Sequence, residues 1–260
     1  MRNRKNLAST AVAAVAAFAI GAFASTGARA VVVDVELQLL VDVSGSISTT
    51  EFNLQRSGYV SAFQNAAVQA QIANNPNGVA VELIYWSGSA QQQVAVGWTH
   101  LTDAASANAF AAAIGAAARP FSGNTAIQSA LNFGAGQFGA NGFEGTKLII
   151  DISGDGTDNN SPGALLPTVG RDNALAVVDT INGLVIGGSV TVLNHYTSNV
   201  IGGTGAFVTG AANFTAFANA VANKIFRETG GTGDIPEPAT LLLFGIGLAG
   251  MGYARRRRAA

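Results

Sequence analysis

Apolar runs that alternate with segments of helical periodicity constrain this chain more than any other feature. A sequence that alternates strand and helix in this way folds as a mainly parallel sheet with helices on both faces. Residues 34–43 hold Val35, Leu37, Leu39, Leu40, Val41 and Val43, a buried strand that runs out into small polar residues. Ser48 or Thr49 caps the next helix, in which Phe52, Tyr59, Val60 and Phe63 recur at helical spacing as far as Ile72, and Asn74-Asn75-Pro76-Asn77-Gly78 stops it. Residues 79–86 and 91–96 read as strands joined by a short link, the second an antiparallel edge. Helices are expected over 103–119, 125–138, 169–181 and 213–228, and further strands over 147–152 and 184–193. The expected fold is α/β and Rossmann-like, and Gly187-Gly188 and Gly202-Gly203 mark turns.

Both ends of the chain differ from this body. Arg2, Arg4 and Lys5 precede an Ala-rich apolar run, and Ala28-Arg29-Ala30 forms a small-residue cleavage site, so residues 1–30 read as a secretory signal. Residues 230–235 read as a linker. Pro236-Glu237-Pro238 then leads into an apolar stretch that ends at Arg255-Arg256-Arg257-Arg258. Its sixteen residues would span about 24 Å as a helix, against roughly 30 Å of hydrocarbon, with arginines kept on the cytoplasmic side. This three-part ending over 236–258 resembles the PEP-CTERM sorting signal of Gram-negative bacteria. The resemblance implies a transient hold in the inner membrane, processing by an exosortase-type protease, and delivery to the cell surface or extracellular matrix. A plain C-terminal anchor is the simpler alternative.

Charge is partitioned in the same way. Between residues 31 and 254 there are six basic residues against all 15 acidic ones, which repels nucleic acid and attracts cations. The chain has no Cys, so neither a disulfide nor a thiolate metal site is available to it.

Beyond the first strand lies Asp42-Val43-Ser44-Gly45-Ser46, at the carboxyl end where open α/β sheets bind their ligands. Alternate residues of D-x-S-x-S present a carboxylate and two hydroxyls to one point, an oxygen set suited to Mg2+ or another hard divalent ion such as Mn2+ or Ca2+. The same motif also reads as a turn whose Asp and Ser satisfy the backbone. Two further oxygen donors follow in the order the topology requires: Thr125 after Ser122-Gly123-Asn124, and Asp155 within Ser153-Gly154-Asp155-Gly156.

Residues 31–229 thus resemble a von Willebrand factor A domain with its metal-ion-dependent adhesion site (MIDAS), closest to the bacterial DUF1194 type. The resemblance implies that Asp42, Ser44, Ser46, Thr125 and Asp155 hold a metal that accepts a carboxylate from an extracellular protein or acidic polymer. One departure is visible. The usual strand runs directly into Thr-Asp-Gly, whereas Gly154 is inserted here, which leaves Asp155 in the loop and Asp151 in the strand as alternatives, with Asp158 reaching the site through water. Asp155 is preferred for its loop position.

Catalysis finds little support. Ser44 lacks the G-x-S-x-G elbow, Gly202-Gly203-Thr204-Gly205 has no Lys or following helix, and the two histidines, His100 and His195, read as packing or surface residues. Trp86 and Trp98 read as core or edge packing rather than as a ligand face. The expected role is non-enzymatic: metal-dependent adhesion, or else a structural matrix component whose metal only stabilises the fold.

Overall fold

The computed structural model describes residues 29–235, so the Ala-rich run of the secretory signal and the 236–258 sorting segment lie outside the described residues. In chain order the elements are β1 (Val31–Asp42), α1 (Thr49–Gln64), α2 (Ala66–Ala73), β2 (Val79–Trp86), β3 (Gln92–Leu101), α3 (Ala104–Ala116), α4 (Ile127–Ala135) and β4 (Phe143–Gly154). They continue with α5 (Val169–Leu175), β5 (Thr180–Ile186), α6 (Val190–His195), a π turn (Tyr196–Val200), β6 (Gly202–Gly203), β7 (Val208–Ala211) and α7 (Phe217–Glu228). The sheet order is β3-β2-β1-β4-β5, and β6 and β7 share the far edge of β5. β3 is the antiparallel edge strand and the two-residue β6 is also antiparallel, while β2, β1, β4, β5 and β7 run parallel.

Alternation along the central strands divides the core in two. Leu37, Leu39 and Val41 of β1 join Tyr59, Phe63, Phe110, Phe217 and Val221 of α1, α3 and α7. On the other face Leu40, Ile84, Trp86, Ile150 and Ile152 pack with Ile127 and Leu131 of α4 and with Tyr196 of the π turn. Trp86 is therefore core, and Trp98 is half-buried, its Nε1 donating to the Gln137 carbonyl at 3.3 Å.

Local chemistry sets the helix ends. Ser48 and Glu51 form a capping box on α1, and Asp103 accepts from the Ser106 N–H at the start of α3. The single helix expected from 48 to 72 is broken at Asn65, whose extended backbone ends α1 and whose Oδ1 accepts from Ala67 N at 2.9 Å to start α2.

The larger correction lies between 169 and 193. The expected helix stops at Leu175, the strand begins at Thr180 rather than 184 and ends at Ile186 rather than 193, and residues 190–195 form α6, which His195 ends. Pairing of Thr180 with Ile149 and Ile181 with Ile150 on the growing sheet sets that start. A short run such as 177–186 has no periodicity of its own to separate strand from helix.

One polar pair crosses the interior. Gln38 of β1 and Glu82 of β2 are register partners, and Gln38 Nε2 donates to Glu82 Oε2 at 2.9 Å and to the Gly134 carbonyl of α4 at 3.0 Å. Burial raises the Glu82 pKa from 4.5 to about 7. The folded state therefore keeps a proton that the unfolded chain releases, and stability is lost as pH rises through that window. Glu82→Gln, which also offers an N–H to the unpartnered Gln38 Oε1, is expected to exceed the native protein in urea stability at pH 8 by on the order of 2 kcal/mol. The gap should close near pH 4.5. An equal gap at both pH values would contradict this account.

Candidate metal site

The carboxyl ends of β1, β4 and β5 and the loop before α4 meet at one pole of the sheet. Asp42 is the last residue of β1 and pairs in register with Trp86, while Val41 pairs with Ser153. The Asp42 side chain is completely buried, and its Oδ1 accepts from Ser44 N at 2.7 Å. Ser44 Oγ lies 3.1 Å from Ser46 Oγ, and Ser46 donates to Asp155 Oδ1 at 2.8 Å. Asp42, Ser44, Ser46 and Asp155 thus form one continuous polar chain across two loops.

Thr125 reaches the same loop through its backbone and side chain. Its N–H donates to Asn159 Oδ1 at 3.0 Å, and its carbonyl accepts from Asn159 and Asn160. A Cβ placed on Gly156, next to Asp155, would lie 3.6 Å from Thr125 Oγ1. Thr125 is two residues outside α4 rather than its first residue, and is nearly buried.

The electrostatics of Asp42 are unusual. Burial pushes its pKa from 3.8 up to about 7; Ser44 pulls the other way, and the charge on Asp155 pushes with burial. Its Oδ2 has no hydrogen-bond partner among the described residues. An inward carboxylate with an unused oxygen, beside two serine hydroxyls and a second carboxylate, fits a hard divalent cation. Asp42, Ser44, Ser46, Thr125 and Asp155 would hold it. Among the described residues no group of three or more His, Cys, Asp or Glu side chains is placed for a metal, so this donor set depends on its three hydroxyls.

The other acids are engaged elsewhere. Asp151 faces away, toward α7, where Lys224 Nζ lies 2.7 Å from its Oδ1, off the line of a good hydrogen bond, and also pairs with Glu228. Asp158 accepts from Gln128 N at 2.8 Å at the start of α4, from Asn160 N and Ser161 N, and from Ser161 Oγ at 2.7 Å. Its carboxylate serves the loop and the helix start.

Several residues that hold this pole carry no motif. Arg119, which sequence periodicity marks only as a helix end, donates from Nη2 to the carbonyls of Val43 at 2.7 Å and Ser44 at 2.8 Å. It thereby clasps the first loop to the segment leading to Thr125. Ser87 Oγ donates to the Asn124 carbonyl and accepts from Gly123 N. His195 accepts the Asp158 N–H at Nε2 over 3.3 Å, and burial lowers its pKa. His100 contacts the Asn77 carbonyl at 2.9 Å, at the opposite pole.

Residues 32–233 match the family described as protein of unknown function (DUF1194). The chain belongs to this DUF1194 family. Residues 234–258 match the PEP-CTERM protein-sorting motif, so this DUF1194 chain carries a C-terminal sorting signal. No curated protein matches the chain.

Its fold is of the von Willebrand A type and is shared with several solved structures. Proximal thread matrix protein 1 from the mussel byssus is similar at 14% identity and a TM-score of 0.57, over 77% of this chain and 49% of that one. The same mussel protein with a zinc-occupied MIDAS motif is similar at 16% identity and a TM-score of 0.52, over 75% and 46%. The pilus adhesin SpaC from Lactobacillus rhamnosus GG is similar at 16% identity and a TM-score of 0.52, over 75% and 30%. This chain therefore spans half or less of the length of each.

The Arg119 clasp yields a test. Arg119→Ala leaves the Val43 carbonyl without its donor and the Ser44 carbonyl with the Ile47 N–H alone, and is expected to cost about 1–3 kcal/mol in urea unfolding. Arg119→Lys, a single ammonium in place of a fork, should recover only part of that loss.

Proposed function

We propose that this DUF1194 chain is an exported adhesion or protein-binding domain that captures its partner through a divalent cation. Asp42, Ser44, Ser46, Thr125 and Asp155 would hold Mg2+ or a similar ion such as Mn2+ or Ca2+. When bound, the cation supplies a positive point to which a carboxylate from an extracellular protein or acidic polymer attaches. One observation carries the reading: a fully buried carboxylate, Asp42, with an unpartnered oxygen and no cationic side chain beside it among the described residues. Burying an unpaired charge is costly, and a cation offsets that cost.

The remaining residues orient and support. Ser44 N fixes Asp42 through Oδ1, Ser46 ties the first loop to Asp155, and Arg119 holds the carbonyls behind them. The polarity of the fold suits presentation. β1 spans about 36 Å from Val31 to Asp42, and α7 ends toward the far pole, where the Thr229 carbonyl accepts from Gln71 of α2 and from Asn75 just past it, before Ile235 turns back to Asn223. A domain held by its C-terminal segment would then turn the site outward.

The sorting motif supports export, processing by an exosortase-type protease while the apolar segment lies in the inner membrane, and delivery to the surface or matrix of a Gram-negative bacterium. Among the described residues no helix is long and apolar enough to cross a membrane; the segment in question follows them. The adhesin and matrix-protein structures support a binding or structural role rather than a catalytic one.

The second reading, a matrix component in which the ion only stabilises the loops, is favoured by the same burial of Asp42, because relief of its desolvation raises stability whether or not a partner follows. Pull-down from the producing organism's surface fraction, with Mg2+ and with EDTA, separates the two. Metal-dependent capture, abolished by chelator and by Asp42→Ala with the circular dichroism spectrum retained, is the expected outcome. Capture indifferent to EDTA would end the adhesion reading. A metal-dependent rise in melting temperature without any capture would favour the structural one.

A further inference from the structure

Behind the proposed ligands lies a second buried oxygen that no motif announces. Tyr196 is fully buried, and its hydroxyl has no hydrogen-bond partner among the described residues. Buried phenols are ordinarily paired, so an orphan here calls for a physical account. A Cβ built on Gly154, the glycine inserted before Asp155, would lie 2.6 Å from Tyr196 Oη and 2.8 Å from Asp42 Oδ2. Both oxygens therefore border the space that any side chain at 154 would fill, and both are unpartnered. A second glycine admits the ring itself: a Cβ on Gly183 would come within 2.8 Å of Tyr196 Cδ1.

The backbone around Tyr196 is held in place. It opens the π turn, a rare geometry that recurs at functional sites, with Ile201 N donating to the Tyr196 carbonyl at 3.0 Å. Arg171 donates to the Ser198 carbonyl and Gln128 to the Asn199 carbonyl, both at 3.0 Å. The preceding His195 accepts from Asp158 N on the loop that carries Asp155.

We propose that Tyr196 is a positioning residue of this site, its hydroxyl supplying to Asp42 Oδ2, directly or through one water, the donor that the loops do not provide. The inference rests on the metal-binding reading above. Asp42 then accepts from Ser44 N at Oδ1 and from Tyr196 at Oδ2, the carboxylate is held at one rotation, and each oxygen keeps a second lone pair for the cation. The inserted Gly154 is the concession that lets the phenol reach it, which accounts for the departure from a strand that runs directly into Thr-Asp-Gly. Asp42 lies on β1 and Tyr196 past β5, so the contact ties the site across β4.

Calorimetric titration of the full-length protein in detergent with MgCl2 tests this. Tyr196→Phe, which removes one oxygen and keeps the ring, should weaken Mg2+ binding by about tenfold, the equivalent of 1.4 kcal/mol, with the metal-free melting temperature held within a few degrees. Unchanged affinity in Tyr196→Phe, beside a native protein that does bind Mg2+, overturns the role of Tyr196 and leaves the metal site standing. No Mg2+ uptake by the native protein overturns both.

If Tyr196→Phe fails to fold, the native protein labelled with 13C in its tyrosines carries the test. The chain has only four tyrosines, and Tyr59→Phe, Tyr85→Phe and Tyr253→Phe identify the Tyr196 resonance by elimination. Its Cζ resonance should move on Mg2+ addition. A resonance that stays in place under saturating Mg2+ would sink the proposal.

Discussion

β1 has parallel partners on both sides, and the rest of the structure depends on that constraint. Its register with β2 brings Asp42 beside Trp86, and its register with β4 brings Val41 beside Ser153. Parallel strands all finish at the same pole, so the loops after β1 and β4 emerge together, and the link from α3 to α4 is tied to them through Gly45 N and the Gly123 carbonyl. A slip of one residue would turn Asp42 to the other face of the sheet and send Leu39 and Val41 away from α1 and α7. The apolar alternation of β1 therefore specifies the site as well as the core.

The acids near this pole meet three different electrostatic fates. Asp151 is neutralised by Lys224 of α7, within a buried cluster that also holds Glu228 and Asn182. Asp158 is satisfied by backbone N–H groups and Ser161. Asp42 is pushed up to about 7 by burial first and by the charge on Asp155, with Ser44 and the Asp155 backbone opposing the rise and no cation beside it among the described residues. Desolvation is common to Asp42 and Asp151; the presence or absence of a cation beside them separates their roles. Strand position alone left Asp151 and Asp155 as competing candidates; the Asp151 side chain turns to Lys224 of α7, whereas Asp155 meets Ser46.

Regions with a strong periodic pattern were legible from sequence. β1, β2, α3 and most of α7 fall where apolar spacing puts them, and Ser48 and Asp103 cap as their residue types suggest. The stretch from 169 to 211 was not. α5 and α6 have seven and six residues, and β6 and β7 two and four, too short for a period to establish itself. Pairing with β4 decides where β5 begins, and Val190, read as strand interior, is largely exposed on α6. Asn65 shows the converse: one side chain that can accept backbone N–H bonds outweighs an otherwise unbroken helical pattern.

What the sequence by itself determined was the α/β class, the order along the chain of the proposed donors Asp42, Ser44, Ser46, Thr125 and Asp155, and the sorting segment. Each of these rests on a local pattern of polarity, spacing or residue type. Only the tertiary structure decided which acid is left without a counter-charge, that Arg119 clasps the first loop, and that Gly154 and Gly183 make room for Tyr196. These are contacts between segments tens of residues apart, and their energies arise only when chain folding has removed the water between them.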